Sequence, residues 1–301
     1  MIHCRGRAAK MNVTRALRTD EVSVGRPLND QPIVNDALFS ELTAAVALAA
    51  GATLAAAHKV SIKPDRSPVT DADERSEAIL LQAIAELMPG VAVVSEEMTN
   101  RPSRLGDIFV LIDPLDGTKE FLAGLGEYTV NLAIIQDGEP VVGIVAVPAQ
   151  GFIYRGRVRQ GAERLTISAD GAKLNLAAGQ PIRTRNAPPG AVVGAVSRSH
   201  LDSTTVAVLD RLRVAHRIAC GSALKFCRIA EGIADIYPRL ATTCEWDVAA
   251  GHALVAAAGG TVTRPKGDML HYGNAAADFR IPAFIAWGDR TRVVDLTPLS
   301  L

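Results

Sequence analysis

Residues 108–121 read Ile-Phe-Val-Leu-Ile-Asp-Pro-Leu-Asp-Gly-Thr-Lys-Glu-Phe, and the rest of the chain is best interpreted outward from this stretch. The apolar run predicts a buried strand over 108–113. That strand brings Asp113 and Asp116 into a tight turn, after which Gly117-Thr118 opens a helix. Carboxylate oxygens are suitable Mg²⁺ ligands, and free N–H groups at a helix N-terminus attract phosphate. The segment therefore predicts metal-assisted phosphoryl transfer.

The composition of the 301-residue chain sets broad limits on its class. The hydrophobic fraction of 48% supports a large core, and the aromatic fraction of 4% means that aliphatic residues fill it. Lys and Arg total 32 and Asp and Glu total 32, so no overall charge argues for a nucleic-acid polymer or a membrane surface. The four cysteines show no C-x-x-C pair and no metal-ligand spacing with histidine, which indicates the reduced thiols of a cytoplasmic protein.

The first part of the chain differs from the rest. Residues 1–34 are polar and predict a disordered tail, without the apolar stretch of a secretory signal. Five basic residues and no acid occur in the first 19, a pattern that a targeting segment would share, although a disordered tail or an over-extended start before Met11 is favoured. The apolar stretch 42–57 is shorter than the ~20 residues of a membrane span, so it predicts a buried helix rather than a transmembrane segment.

The pattern of the first half predicts an α+β lobe over 35–185. Asn35 is suited to cap a helix that runs to about residue 58, and a second helix is predicted over 72–88. Asp137-Gly138 between two apolar runs is a strong hairpin signal. A loop or hairpin is expected at 59–71, and strands at 91–95, 129–136, 141–147 and 152–158.

A polar, Gly- and Pro-containing region at 160–190 is interpreted as the boundary to a C-terminal α/β lobe over 186–301. There, strands and helices alternate, which predicts a layered α/β arrangement. The expected strands are 191–197, 215–219, 234–237, 261–263 and 283–287, and the expected helices are 202–212, 222–231 and 246–258.

Four pairs of acidic residues lie at the ends of predicted elements: Asp71/Asp73, Glu96/Glu97, Asp113/Asp116 and Glu245/Asp247. A single acid at a helix start is usually only a cap or a partner of the helix dipole. Several such ends at one edge of a sheet can instead bring carboxylates into one crevice. Crowded carboxylates have raised pKa values unless cations neutralise them, and a two-metal phosphatase site resolves that repulsion.

A second stretch, Gly-Ser-Ala-Leu-Lys-Phe-Cys-Arg at 221–228, predicts an anion site. Ser222 stands at a helix entry, and Lys225 follows it on the same predicted helical face. Arg239 could add bidentate phosphate recognition. A capped helix with a solvated lysine is the alternative for this stretch taken alone. His200, after a predicted strand, is a weaker candidate for anion or base recognition.

The motifs together resemble the inositol monophosphatase superfamily of Mg²⁺-dependent, lithium-sensitive phosphatases. Four motifs match in order, over about residues 35–287: Val69-Thr70-x-x-Asp73, Ser95-Glu96-Glu97, Asp113-Pro-Leu-Asp-Gly-Thr118 and Trp246-Asp247-x-Ala-Ala-Gly251. The resemblance implies a layered αβαβα sugar-phosphatase fold. Three further segments look like the bacterial 3′(2′),5′-bisphosphate nucleotidase branch: Lys119-Glu120-Phe121, Ser197-Arg-Ser-His200, and Gly221-Ser-Ala-Leu-Lys-Phe-Cys with Tyr237-Pro-Arg239.

The resemblance also implies roles for individual residues. Glu96, Asp113 and the backbone carbonyl of Leu115 would hold one Mg²⁺, and Asp113, Asp116 and Asp247 a second. Asp73 would act near Glu96, through water or a third, weaker metal, and with Thr118 would orient and deprotonate the attacking water. The implied substrate contacts are Glu96, Leu115, Asp116, Gly117, Thr118, His200, Ser222, Lys225, Arg239 and Asp247.

The expected activity is hydrolysis of adenosine 3′,5′-bisphosphate to AMP and phosphate, which clears a by-product of sulfate activation. An inositol or sugar monophosphatase on the same scaffold is the alternative, and a non-catalytic metal- or nucleotide-binding module is the rival from another class. The expected partner is a small nucleotide bisphosphate, and the sequence specifies no oligomeric state. The expected location is the cytoplasm, with loose association with the cytoplasmic face of the inner membrane left open.

Overall fold

A computed structural model describes residues 33–57, 59–63, 68–168, 179–199 and 201–297, and a seven-stranded sheet is the largest unit in that part of the chain. Its first two strands are parallel and the others antiparallel. The predicted hairpin is confirmed, since Asp137 and Gly138 have φ values of 52° and 78°, as a two-residue turn between twisted strands requires. In spatial order the strands are β3 (Ala92–Ser95), β4 (Ile108–Asp116), β5 (Thr129–Gln136), β6 (Glu139–Val147), β7 (Phe152–Arg157), β8 (Gly161–Thr166) and β9 (Gln180–Ile182).

Both faces of this sheet are covered by helices. Alternate residues of β4 enter two different cores: Val110 and Ile112 pack with helices α1 (Asp36–Leu54) and α2 (Asp71–Leu87), and Leu111 packs on the opposite side. Burial on both faces is the reason that β4 is continuously apolar in sequence. Helices α5 (Leu224–Ala230) and α6 (Glu245–Ala257) cover that opposite side.

Helix α1 begins as predicted, because the Asn35 side chain accepts a hydrogen bond of 2.9 Å from the Leu38 N–H. By length and composition α1 could cross a membrane, with a mean hydropathy of 1.6, but 56% of that window is buried within the protein. It packs against α2, β5 and β6. It is therefore mostly a core helix, as expected from the sequence.

A second, five-stranded sheet lies on the far side of α5 and α6. Helix α4 (Ser203–Arg211) covers its outer face, where Val208 packs with Ile236 and Trp287. The resulting order is helix, sheet, helix, sheet, helix, so the predicted five-layer αβαβα arrangement is confirmed. In spatial order the strands are β11 (His216–Cys220), β10 (Val193–Ser197), β12 (Ile236–Arg239), β16 (Phe284–Trp287) and β14 (Thr261–Thr263).

Two short antiparallel pairs complete the described elements. Strands β1 (Val60–Ile62) and β2 (Pro68–Thr70) pair in antiparallel fashion, within the segment predicted as a loop or hairpin between the first two helices. Strands β13 (Thr243–Cys244) and β15 (Arg280–Ile281) pair just before α6 begins.

Several predicted boundaries are wrong. Strand β4 continues through Asp116 with a register shift after Asp113, because pairing with β5 resumes at Thr129. Helix α5 begins at Leu224, because Ser222 has a φ of 50° and cannot continue a helix. Helix α1 ends at Leu54, short of residue 58.

Strands β8 and β9 occupy part of the polar region at 160–190, which the sequence predicts to be a lobe boundary. The region is polar although it forms strands, because many of its side chains are exposed or half-buried at the end of the sheet. The division into lobes at 185/186 stays a prediction. The predicted disordered tail falls almost entirely on residues 1–32, and this part, together with His200, lies outside the described residues.

Candidate active site

Three carboxylates from three separate elements meet at one edge of the large sheet. Glu96 directly follows β3, Asp113 lies in the neighbouring strand β4, and Asp247 lies in the first turn of α6. One ligand oxygen from each of them lies within 4.8 Å of the other two. The side-by-side parallel strands β3 and β4 account for the first two, and the packing of α6 against β4 brings the third.

The irregular end of β4 presents Asp113 and the backbone carbonyl of Leu115. The Oδ1 atom of Asp113 accepts a hydrogen bond of 3.1 Å from the Leu115 N–H. The Oδ2 atom is buried and has no hydrogen-bond partner among the described residues. The Ser76 hydroxyl fixes the bulge by donating to the Pro114 carbonyl at 2.7 Å. A buried, unpartnered carboxylate oxygen is costly, and a bound cation would satisfy it.

Burial and mutual repulsion raise the pKa values of these carboxyl groups. Burial, followed by the neighbouring Asp247, raises the pKa of Glu96 to about 8 and that of Asp116 to about 7. Burial, followed by Glu96, raises the pKa of Asp113 well above its usual value. A divalent cation would favour the ionised carboxylates and so oppose each shift, which means that the residues present fit the predicted metal.

A pocket of about 190 Å³ opens beside the carboxylates. Gly117, on its wall, has a φ of 92°, and a Cβ atom there would lie 2.2 Å from the Ser222 hydroxyl oxygen. Only glycine therefore fits at this position. The predicted site residues that line the pocket are Glu96, Asp116, Gly117, Thr118, Ser222, Lys225, Arg239 and Asp247.

Two cationic side chains, Lys225 and Arg239, also line the pocket. The Lys225 ammonium is buried and donates to the carbonyls of Ser222 at 2.7 Å and Cys220 at 3.3 Å. An ammonium has three donors, and besides these two carbonyls the Lys225 nitrogen lies 5.2 Å from the centroid of the Tyr237 ring. The Nε atom of Arg239 is buried without a hydrogen-bond partner in the described structure. Both side chains thus have donor capacity at the pocket.

Ser222 has a different position from the one predicted for it. Its hydroxyl lies 2.7 Å from the Asp116 carbonyl and 2.9 Å from the Glu127 carbonyl, as part of the turn before α5. The Ser222 hydroxyl proton is therefore directed to the backbone. Because Ser222 precedes the helix, it does not share a helical face with Lys225.

The two residues of the predicted water-activating pair make their hydrogen bonds to other groups. The Oδ2 atom of Asp73 accepts from the Thr70 N–H at 2.8 Å and the Thr70 hydroxyl at 2.6 Å, which forms a capping box at the start of α2. Thr118 donates to the Leu115 carbonyl at 3.5 Å. Among the described residues Asp73 and Thr118 share no hydrogen bond, and Asp73 does not line the pocket.

Sequence reasoning missed two charged residues, Lys63 beside Glu96 and Glu127 beside the pocket-lining Ser222. The Lys63 ammonium lies 3.3 Å from Glu96 Oε1 and 2.6 Å from Glu97 Oε1. Glu127 accepts two hydrogen bonds of 2.7 Å from Arg198, which is thereby committed within the protein. Neither Lys63 nor Glu127 belongs to a recognisable motif, and only the tertiary structure gives them these contacts.

Comparison with known proteins finds relatives that match most of the chain. The family model described as "Inositol monophosphatase family" matches residues 34–284. The chain is 39% identical over 216 residues to the 3′(2′),5′-bisphosphate nucleotidase CysQ of Salmonella typhimurium, covering 70% of this chain and 81% of the relative. It is also 32% identical over 225 residues to a histidinol-phosphatase of Mycobacterium tuberculosis, covering 72% and 82%.

Among solved structures, CysQ from Bacteroides thetaiotaomicron superposes with a TM-score of 0.72 at 31% identity, covering 84% of this chain and 98% of that one. Its description calls it a bacterial member of the inositol monophosphatase family. The five-layer arrangement is therefore the fold of that family. The match of the family model to most of the chain, with the acidic motifs in their expected order, shows that this protein belongs to the inositol monophosphatase family of metal-dependent phosphomonoesterases.

Proposed function

We propose that the protein is a Mg²⁺-dependent 3′(2′),5′-bisphosphate nucleotidase that converts adenosine 3′,5′-bisphosphate to AMP and phosphate. The observation that carries this proposal is the pairing of two unlike walls in one pocket. The carboxylates of Glu96, Asp116 and Asp247, called here the acidic wall, and the cations of Lys225 and Arg239, called here the cationic wall, line the same pocket. A substrate with two phosphates can use both walls, whereas a monophosphate ester needs only the first.

The acidic wall would hold the metal. Glu96, Asp113 and the Leu115 carbonyl would bind one Mg²⁺, and Asp113, Asp116 and Asp247 a second, with a third, weaker ion near Asp73 as an open alternative. The bound metal would supply electrostatic stabilisation of the reacting phosphate and of the departing ribose oxygen. In Asp247, the Oδ2 atom is already bonded to Thr243 and to the Cys244 N–H, which leaves Oδ1 for this role.

The remaining residues would bind and orient the substrate. The backbone N–H groups around Gly117 and Thr118 would donate to the 3′-phosphate. The third N–H of Lys225 and the Nε of Arg239 would donate to the 5′-phosphate, which undergoes no chemistry and requires only fixed cationic donors. Such contacts position the reacting phosphate and lower the barrier. Asp73 with Thr118 would orient the attacking water, and His200 would contact the nucleoside.

Phosphate release from a panel of esters tests the proposal. The panel contains adenosine 3′,5′-bisphosphate, inositol 1-phosphate and histidinol phosphate, each with Mg²⁺ and with a chelator. We expect the highest kcat/KM on the bisphosphate, and no release in the chelator. A preference for inositol 1-phosphate or histidinol phosphate would replace the nucleotide assignment by that monophosphatase activity. Absence of release from every ester would favour the non-catalytic binding module.

The activity would serve sulfate assimilation, because this nucleotide is left over after activated sulfate has been used. We place the protein in the cytoplasm, and lithium inhibition is expected of it as a family member. The same panel, extended with 3′-phosphoadenylyl sulfate and adenosine 2′,5′-bisphosphate, measures how strongly the enzyme discriminates among these nucleotides.

A further inference from the structure

The side chain of Arg101 connects the two chain segments that carry Glu96 and Asp247. Its Nη2 atom donates to the Glu96 carbonyl at 2.7 Å, and its Nε atom donates to the Ser95 carbonyl at 3.2 Å. The guanidinium carbon also lies 4.5 Å from the ring centroid of Trp246, the residue directly before Asp247. One planar group therefore contacts the end of β3 by its edge and the start of α6 by its face.

Glu96 needs such a contact because regular pairing ends there. The last strand-type hydrogen bond on this side runs from the Glu96 N–H to the Ile112 carbonyl at 3.3 Å. Residues 96–97 then form a turn, and Arg101 returns from the following loop to hold the Glu96 carbonyl. The Glu96 N–H is thus held by the neighbouring strand, whereas its carbonyl is held by the Arg101 side chain.

We infer that Arg101 is a positioning residue, which holds Glu96 and Asp247 at the separation that a divalent cation requires. The inference rests on the metal site of the proposed function and names a residue outside it. Because the three carboxylates lie within 4.8 Å of one another, their repulsion favours spreading of the segments that carry them. Arg101 opposes that spreading by joining two of those segments.

The contacts require arginine and not merely a positive charge. A guanidinium can present two N–H donors to neighbouring carbonyls while its face stacks on an indole, whereas an ammonium cannot do both. The Nη1 atom makes one further bond, of 3.3 Å, to the exposed carboxylate of Asp278. That outward contact does not reach the carboxylate cluster.

Direct measurement of Mn²⁺ binding by electron paramagnetic resonance, on the full chain without substrate, tests this role. Partners that orient metal ligands typically contribute about 10–100-fold to metal affinity, so we expect Arg101→Lys and Arg101→Gln to raise the Mn²⁺ Kd by about tenfold or more. Arg104→Lys, an exposed position of the same loop, is the matched control and should leave the Kd unchanged. Asp278→Asn, which weakens only the outward contact, should change the Kd less than twofold.

Thermal unfolding in chelator separates positioning from folding. The Arg101 variants should keep a cooperative unfolding transition. The Mg²⁺ concentration that half-saturates phosphate release should rise by the same factor as the Mn²⁺ Kd. The KM for the nucleotide at saturating Mg²⁺ should stay within twofold of the wild-type value. Unchanged Mn²⁺ affinity in both Arg101 variants would overturn the inference and leave the proposed function intact. If the wild-type chain and Asp247→Asn bind Mn²⁺ with the same affinity, the proposed metal site is contradicted. The inference about Arg101 is then contradicted as well.

Discussion

The two walls of the pocket are stabilised in opposite ways. On the acidic wall, Glu96 and Asp116 lie near Asp247, and burial together with the repulsion from Asp247 raises the pKa of both. On the cationic wall, the buried Lys225 ammonium already has two backbone carbonyl partners. The acidic wall is therefore arranged for a cation from solution, whereas the cationic wall is compensated by the protein itself and ready for an anion.

The largest effect is expected from removing charge on the acidic wall. Asp116→Asn should lower kcat/KM on adenosine 3′,5′-bisphosphate by about 10³-fold or more, because a ligand for the charge-stabilising metal is lost. Metal-free unfolding should show little change in stability, since the substitution removes both the repulsion from Asp247 and the attraction to Lys225 and Arg239. Steady-state kinetics and thermal unfolding in chelator measure both. Retained turnover would contradict the proposed metal ligands.

The cationic wall should respond differently. Lys225→Ala combined with Arg239→Ala is expected to lower kcat/KM on the bisphosphate by about 100-fold, since two charge-assisted contacts are lost. A monophosphate such as 3′-AMP should lose much less, because it lacks the 5′-phosphate. Parallel kinetics on the two esters give the ratio. Equal losses would mean that these residues do not bind the second phosphate. Arg239→Ala alone is the milder variant, because Lys225 also bonds to the turn before α5.

The pH dependence of stability should sharpen the contrast. In chelator, the raised pKa values of Glu96, about 8, and Asp116, about 7, mean that the folded protein holds protons which the unfolded chain releases above pH 4–5. Stability should therefore fall as pH rises from about 5 to about 8. Mg²⁺ should oppose that fall, because the cation binds the deprotonated carboxylates. Thermal midpoints across this range measure it, and a pH-independent difference between chelator and Mg²⁺ would argue against the shifted carboxyl groups.

A smaller, structural effect is expected from a substitution at Gly117, which lines the pocket. Gly117→Ala should cost about 1–3 kcal/mol of unfolding free energy, because alanine is strained at a φ of 92° and its methyl group would clash with Ser222. Gly117→Ala combined with Ser222→Ala should recover part of the loss by removing the clash but not the strain. Denaturant unfolding of the two variants gives the coupling, and strictly additive losses would contradict the close approach.

Much of the fold could be predicted from local patterns. The Asn35 cap, the Asp137-Gly138 turn and the alternating α/β half are confirmed because each depends on neighbouring residues. Strands β8 and β9 were missed because they lie in a polar stretch, at the half-exposed end of the sheet. The start of α5 was misplaced because Ser222 adopts a left-handed conformation that only its contacts with the Asp116 and Glu127 carbonyls explain.

The chemistry of the candidate site could be read from the residues alone: acidic motifs at element ends predicted a metal site, and a Gly-Ser-x-x-Lys stretch predicted an anion site. Both sites stay predictions, because a carboxylate at an element end can also act as a helix cap, as Asp73 does at the start of α2. Only the tertiary structure brought Arg101 between Glu96 and Trp246, turned the Ser222 hydroxyl toward the backbone, and placed Lys63 against Glu96. Such contacts join residues far apart in sequence, and the packing of strands and helices decides them, so no local pattern reports them.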